Sequence, residues 1–577
     1  MKRIIERLKE LFRNRRTLWR QCRWLVAKAK PCLPRLVLLF VVETVLATVT
    51  VGVTLVNKRV IDQAIQASGV FDAPAFALMA ALTVGNLLVG AGANYLSMLV
   101  REQYAYDLRM QLYGRMLHSK WTALKAYHSG DIQTRLTSDL DAVSSGIAGM
   151  VPEVLSLAVR LVLAFAVLFS FDRLLALAAL LLGPLGLITG VLFTGRLHKY
   201  EIELRENEAK QRSFMQENTE NITVMKAFSQ EERSMSRFGQ LRRERMALVR
   251  RRSLFGMLVH VAMRMTFTTG YLLAFGWGIL RVSLAQITYG TMNVFLSLIN
   301  QVQGPIMSLG NIVPRFVGML AAAGRVMELE DLPAEERSEA PTLTGAVGAR
   351  LRHASFAYAD QKGEHDEVLE NVSLDVRPGE AVALIGRTGS GKTTIARLLL
   401  NLVEPTSGEC CFYDASGRTA KASPATRSLI AYVPQGNTMT SGTIRENLTL
   451  GENIADEALR QALSTAEAEF ALELGLDAHI GERGVGLSEG QAQRLAIARA
   501  LLRKAPFLIL DEASASLDME TERRIMENLR AARSGVTCLV ITHRPSLLAI
   551  CDRCYRVREG AVEEIADPLA ETMVEQP

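Results

Sequence analysis

Apolar positions in this 577-residue chain fall into two regimes. Before about Val317 they crowd into long runs, and after Leu351 the pattern is that of a soluble α/β domain. A helix needs about 20 apolar residues to cross the hydrocarbon core of a bilayer. Six runs reach that length: Leu36–Val56, Ala75–Val100, Ala148–Phe171, Leu174–Leu197, Leu254–Leu280 and Tyr289–Val313. Two intervening segments, Arg101–Gly146 and His198–Ser253, are each about fifty residues long, charged and free of proline. They predict helices that continue past the membrane, turn roughly 35 Å beyond it and return. The tips fall at Trp121–Tyr127 and Glu217–Val224. These tips are expected to touch the soluble half and carry force; two solvated hairpins are the plainer alternative.

Charge refines this picture locally. Met1–Lys30 holds eleven Lys or Arg against two Glu. Such a segment suits nucleic acid or an anionic membrane surface, and its place before a full-length apolar run favours the membrane. It is too long for a secretory signal and lacks a small-residue cleavage site. Residues 1–32 therefore read as a basic interfacial helix, with Leu8, Leu11, Phe12, Leu18, Trp19 and Trp24 at headgroup depth. The short turns at the far end carry only Lys58, Arg59, Arg173 and Arg281. Both termini and the soluble half are thus expected on the cytoplasmic side of the cell membrane. Asn221, Asn371 and Asn447 head N-x-S/T triplets on that same side and are discounted as glycan acceptors. Cys410 and Cys411 are adjacent, and Cys551 and Cys554 form a C-x-x-C without a second pair, so the cysteines read as reduced thiols.

Polar residues inside the spans are costly and tend to avoid lipid. In the fifth span His260, Arg264, Phe267 and Tyr271 step by four, three and four, which places them on one stripe. The sixth carries Asn293, Ser297, Asn300, Gly304 and Ser308, the first Glu43 and the third Arg160. One reading is internal pairing, such as Glu43 with an arginine. The other is a wet, partly cationic cavity for an amphipathic or anionic cargo, lined by Glu43, Arg160, His260, Arg264, Asn293, Ser297 and Asn300.

The second half carries chemistry. Gly386-Arg387-Thr388-Gly389-Ser390-Gly391-Lys392-Thr393 follows the apolar strand Ala381–Ile385 and opens the apolar helix Ile395–Leu402. That strand–loop–helix order is the setting a phosphate-binding P-loop needs. Its backbone N–H groups and the helix N-terminus favour phosphate, Lys392 reaches the β and γ phosphates, and Thr393 offers a hydroxyl to Mg²⁺. A second strand, Phe507–Leu510, ends in Asp511-Glu512. Asp511 suits the magnesium shell, and Glu512 can orient or deprotonate the attacking water. His543, after the strand Val536–Thr542, is a candidate to hold the γ phosphate and that water.

The order and spacing closely resemble an ABC-family nucleotide-binding domain. Gln435 in Tyr-Val-Pro-Gln is similar to the family's Q-loop, Leu487-Ser-Glu-Gly-Gln491 to its signature, and Ser514-Ala-Ser-Leu-Asp518 to its D-loop. Tyr358 in Phe-Ala-Tyr resembles the aromatic that stacks on adenine, and Gly481-Glu-Arg-Gly484 resembles a motif of exporters. In the membrane half Gly130-Asp131, Arg135-Leu-Thr-Ser-Asp139 and Val224-Met-Lys-Ala-Phe228 are similar to exporter loop segments. The chain therefore resembles a type IV, multidrug- or lipid-flippase-like half-transporter. The resemblance implies an α-helical polytopic membrane domain with six transmembrane helices and long cytoplasmic extensions, followed by an α/β P-loop ATPase domain. The expected bounds are 33–330 for the membrane domain, with coupling loops near 119–130 and 214–225, then a linker at 331–348 and the ATPase at 349–577.

It also implies ATP and Mg²⁺. Lys392, Gln435, Glu512 and His543 would form the catalytic machinery, and Thr393, Asp511 and, through water, Gln435 would hold the metal. ATP would further meet Tyr358, residues 386–393 and Thr394 of one chain, and Ser488, Glu489, Gly490 and Gln491 of a second. A dimer follows, closing on ATP to switch the cavity outward and resetting on hydrolysis. One departure stands out, because the signature's usual third-position glycine is Glu489. A homodimer is the leading expectation and an asymmetric heterodimer stays open. The six spans argue against a soluble ATPase acting on nucleic acid, while an ATP-gated channel or regulator remains an alternative. The cargo, whether drug, lipid or peptide, stays open too, as do the surrounding membrane lipids as partners.

Overall fold

A computed structural model describes residues 15–66, 72–336, 338–359, 365–532, 535–542, 544–548 and 551–565. The chain forms two compact units: Met1–Leu117 with His128–Asp331, and His118–Tyr127 with Leu332–Pro577.

The first unit is helical. A short α1 (Arg15–Ala29) leads into α2 (Leu33–Gln66) and α3 (Ala73–Leu117). After the tip helix α4 (Trp121–Lys125), which belongs to the second unit, come α5 (Ser129–Phe171) and α6 (Arg173–Glu220). A second tip helix α7 (Ile222–Ala227) joins α6 to α8 (Glu231–Ser283), and α9 (Tyr289–Glu330) closes the unit. Among the described residues, the helix running Arg16–Ile65 and the helices α3 and α5 are long and apolar enough to cross a membrane, with mean hydropathy of 2.4, 1.8 and 2.4 over their best stretches. Their outward faces are apolar: Leu87 is 72% and Leu88 66% exposed, the opposite of a water-soluble bundle. The six expected spans all lie inside the long helices α2, α3, α5, α6, α8 and α9.

Packing within this unit centres on α9, which lies against α2, α5, α6 and α8. One apolar cluster gathers Leu25, Tyr104, Leu108, Leu140, Val143 and Ala323; another gathers Val51, Leu168, Phe295 and Leu298. Near the first, buried Asp139 takes a bidentate ion pair from Arg325 (2.7 and 2.5 Å). Arg135 donates to the Arg325 carbonyl and pairs with Glu328. The Arg135–Asp139 stretch, a π-helical turn within α5, thereby stitches α5 to the last turns of α9. The basic helix α1 is tied to the same end of α9 by Arg20 to Asp331, and by Trp24 and Lys28 to Glu330 (both 2.6 Å). The second tip sits a few residues beyond the expected Glu217–Val224, because α6 runs unbroken to Glu220.

The second unit is α/β. A six-stranded sheet has the order β12-β11-β3-β10-β9-β6, with β12 (Ala561–Ile565) antiparallel to β11 (Arg553–Arg558) at one edge. Strands β3 (Ala381–Ile385), β10 (Thr537–Ile541), β9 (Phe507–Asp511), β6 (Ile430–Val433) and β11 run parallel. An antiparallel sheet, order β2-β1-β4-β5, stands beside it: β1 (Val347–Ala359), β2 (His365–Val376), β4 (Ser407–Asp414) and β5 (Thr419–Lys421), and β7 (Gly442–Thr443) and β8 (His479–Ile480) form a short antiparallel pair. All five residues of β9 are buried, as a central parallel strand covered on both faces requires. Between the sheets lie Phe412, Phe507, Leu351, Leu384 and Ile395, while a second core packs Leu463, Leu495, Ile497 and Leu510.

Candidate functional site

Open parallel sheets bind ligands beyond the carboxyl ends of their strands. At that edge β3 and β9 flank β10, so the loops after β3 and β9 converge. The loop after β3 turns through Gly386 (φ 148°) and Gly391 (φ 107°) into α10 (Lys392–Leu399). The helix begins at Lys392 itself, one turn earlier than the apolar run indicated. A Cβ on Gly386 would come within 2.3 Å of the Val557 carbonyl, and one on Gly391 within 2.8 Å of Leu369, so glycine is obligatory at both.

Inside this loop Lys392 donates to the carbonyls of Gly386 (2.6 Å) and Arg387 (2.8 Å). The lysine is buried, and burial pushes its pKa below the usual lysine value against the pull of Glu512 and Asp511. The Ser390 hydroxyl is buried and has no hydrogen-bond partner among the described residues. A buried cation and an unsatisfied hydroxyl in a glycine turn at a helix N-terminus fit an anionic phosphate.

Asp511, fully buried at the end of β9, accepts from Thr393 (3.3 Å) and from Tyr432 (3.2 Å). Burial lifts its pKa above the ordinary carboxylate value, with both hydrogen bonds opposing. The Thr393 hydroxyl and the Asp511 carboxylate are hard oxygens side by side, the donor set a magnesium ion takes. Glu512 follows in the left-handed region (φ 48°), held by its N–H on the Ile541 carbonyl (3.0 Å). Gln435, two residues past β6, donates to the Glu512 carboxylate (2.5 Å). His543 lies outside the described residues.

Two family models match the chain: the ABC transporter transmembrane region over residues 36–306, and the ABC transporter over residues 369–515. The chain belongs to the ABC transporter family. With the ATPase module fused behind the membrane region, the transporter is an ATP-hydrolysing one. Two Staphylococcus aureus ATP-binding/permease proteins provisionally named for multidrug export, from strains NCTC 8325 and COL, are each 28% identical over 485 residues, covering 82% of both chains. The fold matches a solved bacterial Atm1-family ABC exporter with ATP bound, with a TM-score of 0.78 at 21% identity over 94% of this chain and 98% of that one.

The segment expected as the signature opens α14 (Glu489–Leu502), which follows α11 (Ile444–Thr449), α12 (Asp456–Thr465) and α13 (Phe470–Leu474) in the chain. Ser488 is its N-cap: its hydroxyl accepts from the Gln491 N–H (3.2 Å), and its own N–H donates to the Gln491 side chain (2.8 Å). Ser488 and Glu489 are exposed, and among the described residues none of Ser488–Gln491 bonds to a P-loop atom. Gly490 is the tight position, since a Cβ there would stand 3.0 Å from the Ser516 carbonyl of the D-loop. Buried Gln493 accepts from the Ser516 N–H (3.1 Å) and fixes that contact.

Sequence reasoning passed over Arg397. One turn past Lys392, it donates to the Tyr358 hydroxyl (2.7 Å) and lies over the Trp121 ring (5.1 Å). The Tyr358 hydroxyl also lies 3.4 Å from that of Thr394, while Lys125 stands over both the Tyr358 and Trp121 rings. The tip helix α4 is thus packed within the ATPase unit, and Lys120 pairs with Glu404 (2.7 Å) to hold it there. The only early signal was a charged side chain on an otherwise apolar helix.

Of the candidate cavity residues, Ser297 shares hydrogen bonds with Thr54 (3.3 Å) and Gln301 (3.2 Å). His260, Arg264 and Asn300 are exposed on the first unit, whereas Glu43, Arg160 and Asn293 are half-buried. Glu43 makes no ion pair among the described residues, and the Arg160 Nε is buried without a hydrogen-bond partner.

Proposed function

We propose that the transporter exports or flips an amphipathic cargo across the cell membrane by ATP-driven alternating access, as a dimer with both termini and both ATPase units cytoplasmic. The observation that carries this reading is the meeting of P-loop, Asp511, Glu512 and Gln435 at one sheet edge, in a chain whose other half is built of membrane-length helices. When bound, Mg²⁺ neutralises charge developing on the phosphates, with Thr393 and Asp511 as its protein ligands and Gln435 reaching it through water. Lys392 exchanges its two carbonyl partners for phosphate oxygens. Tyr358 offers its ring to adenine, and Glu512 orients the attacking water with His543.

The dimer is supported by the exposed signature: among the described residues the Ser488 hydroxyl and the N-terminus of α14 meet no P-loop atom of their own chain, which leaves them open to a nucleotide held by a second chain. Exposed Arg264 and His260 on a helix otherwise lined by exposed Leu272 and Leu273 support a water-filled cavity, since an unpaired guanidinium is not left in lipid. Loss of cargo-stimulated ATPase in Arg264→Ala and Arg160→Ala would support the cavity role. Unchanged transport in both would remove these residues from it.

The tips α4 and α7 are proposed as coupling elements. α4 grips the adenine-side cluster of its own ATPase unit, whereas Ile222, Val224 and Phe228 around α7 are exposed and free to meet a second chain.

A further inference from the structure

At the end of the first unit formed by the last turns of α2 and the first turn of α9, four charged side chains lie close together, and three are spent. Asp62 accepts from the Thr288 hydroxyl (2.8 Å) and the Gly290 N–H (2.9 Å), which caps the N-terminus of α9. Asp172 takes Arg281 (3.5 Å) and the Trp277 indole N–H (3.3 Å). The fourth is Lys58, one helical turn before Asp62. An i, i+4 pair of Lys and Asp ordinarily forms an ion pair. Here Asp62 is committed elsewhere, and Lys58 has no carboxylate within ion-pair distance among the described residues. Its ammonium lies instead over the Phe171 ring at 5.1 Å.

Lys58 faces a cavity of about 580 Å³. Phe171, Val282 and Ile287 line it beside the polar Gln286, Thr288 and Thr291, with the Thr288 hydroxyl committed to Asp62 and Phe295 almost fully buried. A cation without a carboxylate partner at an open cleft of mixed lining, with the exposed Phe171 ring beside it, suits a ligand with one anionic head and an apolar body. We propose that this cleft binds an anionic amphiphile, such as a carboxylate- or phosphate-headed lipid, with its head on Lys58 and its chain against Phe171 and Ile287. The site itself stands on this geometry; assigning it to departing cargo rests on the export reading above.

The test uses the full chain in nanodiscs of neutral phosphatidylcholine, with a diazirine-bearing fatty acid as probe and peptide mass spectrometry to map the label. Cross-links are expected around Phe171 and between Val282 and Phe295. They should fall about tenfold in Lys58→Ala and Lys58→Glu, persist in Lys58→Arg, and be missing with the uncharged methyl ester of the probe. Unchanged elution and ATP binding of the variants show that they fold. Equal labelling of wild type and Lys58→Glu, or equal labelling by the ester, overturns the proposal. Where labelling depends on Lys58, probe-stimulated ATPase activity that Lys58→Glu abolishes makes the ligand cargo. Lys58-dependent labelling with no ATPase response makes it a resident bilayer lipid. A chain that lacks basal ATPase activity but still labels through Lys58 speaks against the export reading and leaves the site standing.

Discussion

Glu512 is held in a left-handed backbone conformation that costs a non-glycine residue roughly 1–2 kcal/mol. Its carboxylate meets Gln435 beside the buried Thr393–Asp511 pair. Glu512→Gln should lower turnover about 10²–10⁴-fold while nucleotide still binds. Activity within a few-fold of wild type would end the general-base assignment. The two perturbed groups give a pH signature. Lys392 has a lowered pKa, so it loses its proton at a lower pH than an ordinary lysine, and the ammonium is the form that binds phosphate. ATP affinity should therefore fall as pH rises through that lowered value, below the ordinary 10.5. Asp511 has a raised pKa, and its ionised form binds Mg²⁺. Magnesium dependence should weaken as pH falls through a value above 3.8. Nucleotide binding titrated across both ranges checks the two signs, and Lys392→Arg should flatten the alkaline limb. In the signature, the crowded residue is Gly490 and the open one is Glu489. Gly490→Ala should therefore impair hydrolysis more than Glu489→Ala; the reverse order in paired ATPase assays would contradict this reading. Motif residues were legible because their chemistry is local in sequence. Arg397 and Tyr432 were not, because the partners that give them meaning stand 39 and 79 residues away in the chain.

Among the elements, α4 and α10 share the cluster of Trp121, Arg397, Tyr358 and Lys125. If Arg397 positions Tyr358 for adenine, Arg397→Ala should raise the KM for ATP several-fold with less effect on kcat, and Arg397→Lys should recover part of it. Equal loss of ATP and GTP hydrolysis would point to general damage instead. The Arg135–Asp139 turn belongs to the same scale. Truncating one partner of a buried ion pair costs about 3–5 kcal/mol, but Arg325 is half-exposed, so Asp139→Ala should cost about 2 kcal/mol, read as a lowered Tm of the purified protein. The sequence located the long helices through their apolar runs, and strands β3 and β9 through the motifs at their ends. Helix ends were harder. Nothing apolar marks where α6 stops, and its charged stretch runs on to Glu220, so the second tip lies later than the pattern suggested. The tip helix α4 was expected to touch the soluble half, and it packs within the ATPase unit; what the sequence did not mark is that its partners there are Tyr358 and Arg397.

For the whole molecule, the proposed dimer pairs the signature of one chain with the P-loop of another, and among the described residues Ser488 bonds only to Gln491 rather than to its own P-loop. The order of the motifs made the two-part architecture legible, with membrane helices first and ATPase second. It did not disclose whether the second chain is identical, because Glu489 is compatible with either arrangement until its position is seen. The open placement of Glu489 and the retained Gly490 favour a working site between identical chains. The most direct test is ATPase activity of this chain purified alone in nanodiscs, beside Glu512→Gln. The account predicts robust hydrolysis that the substitution abolishes. A folded, ATP-binding chain that hydrolyses nothing in either form would contradict the homodimer and require a different second half.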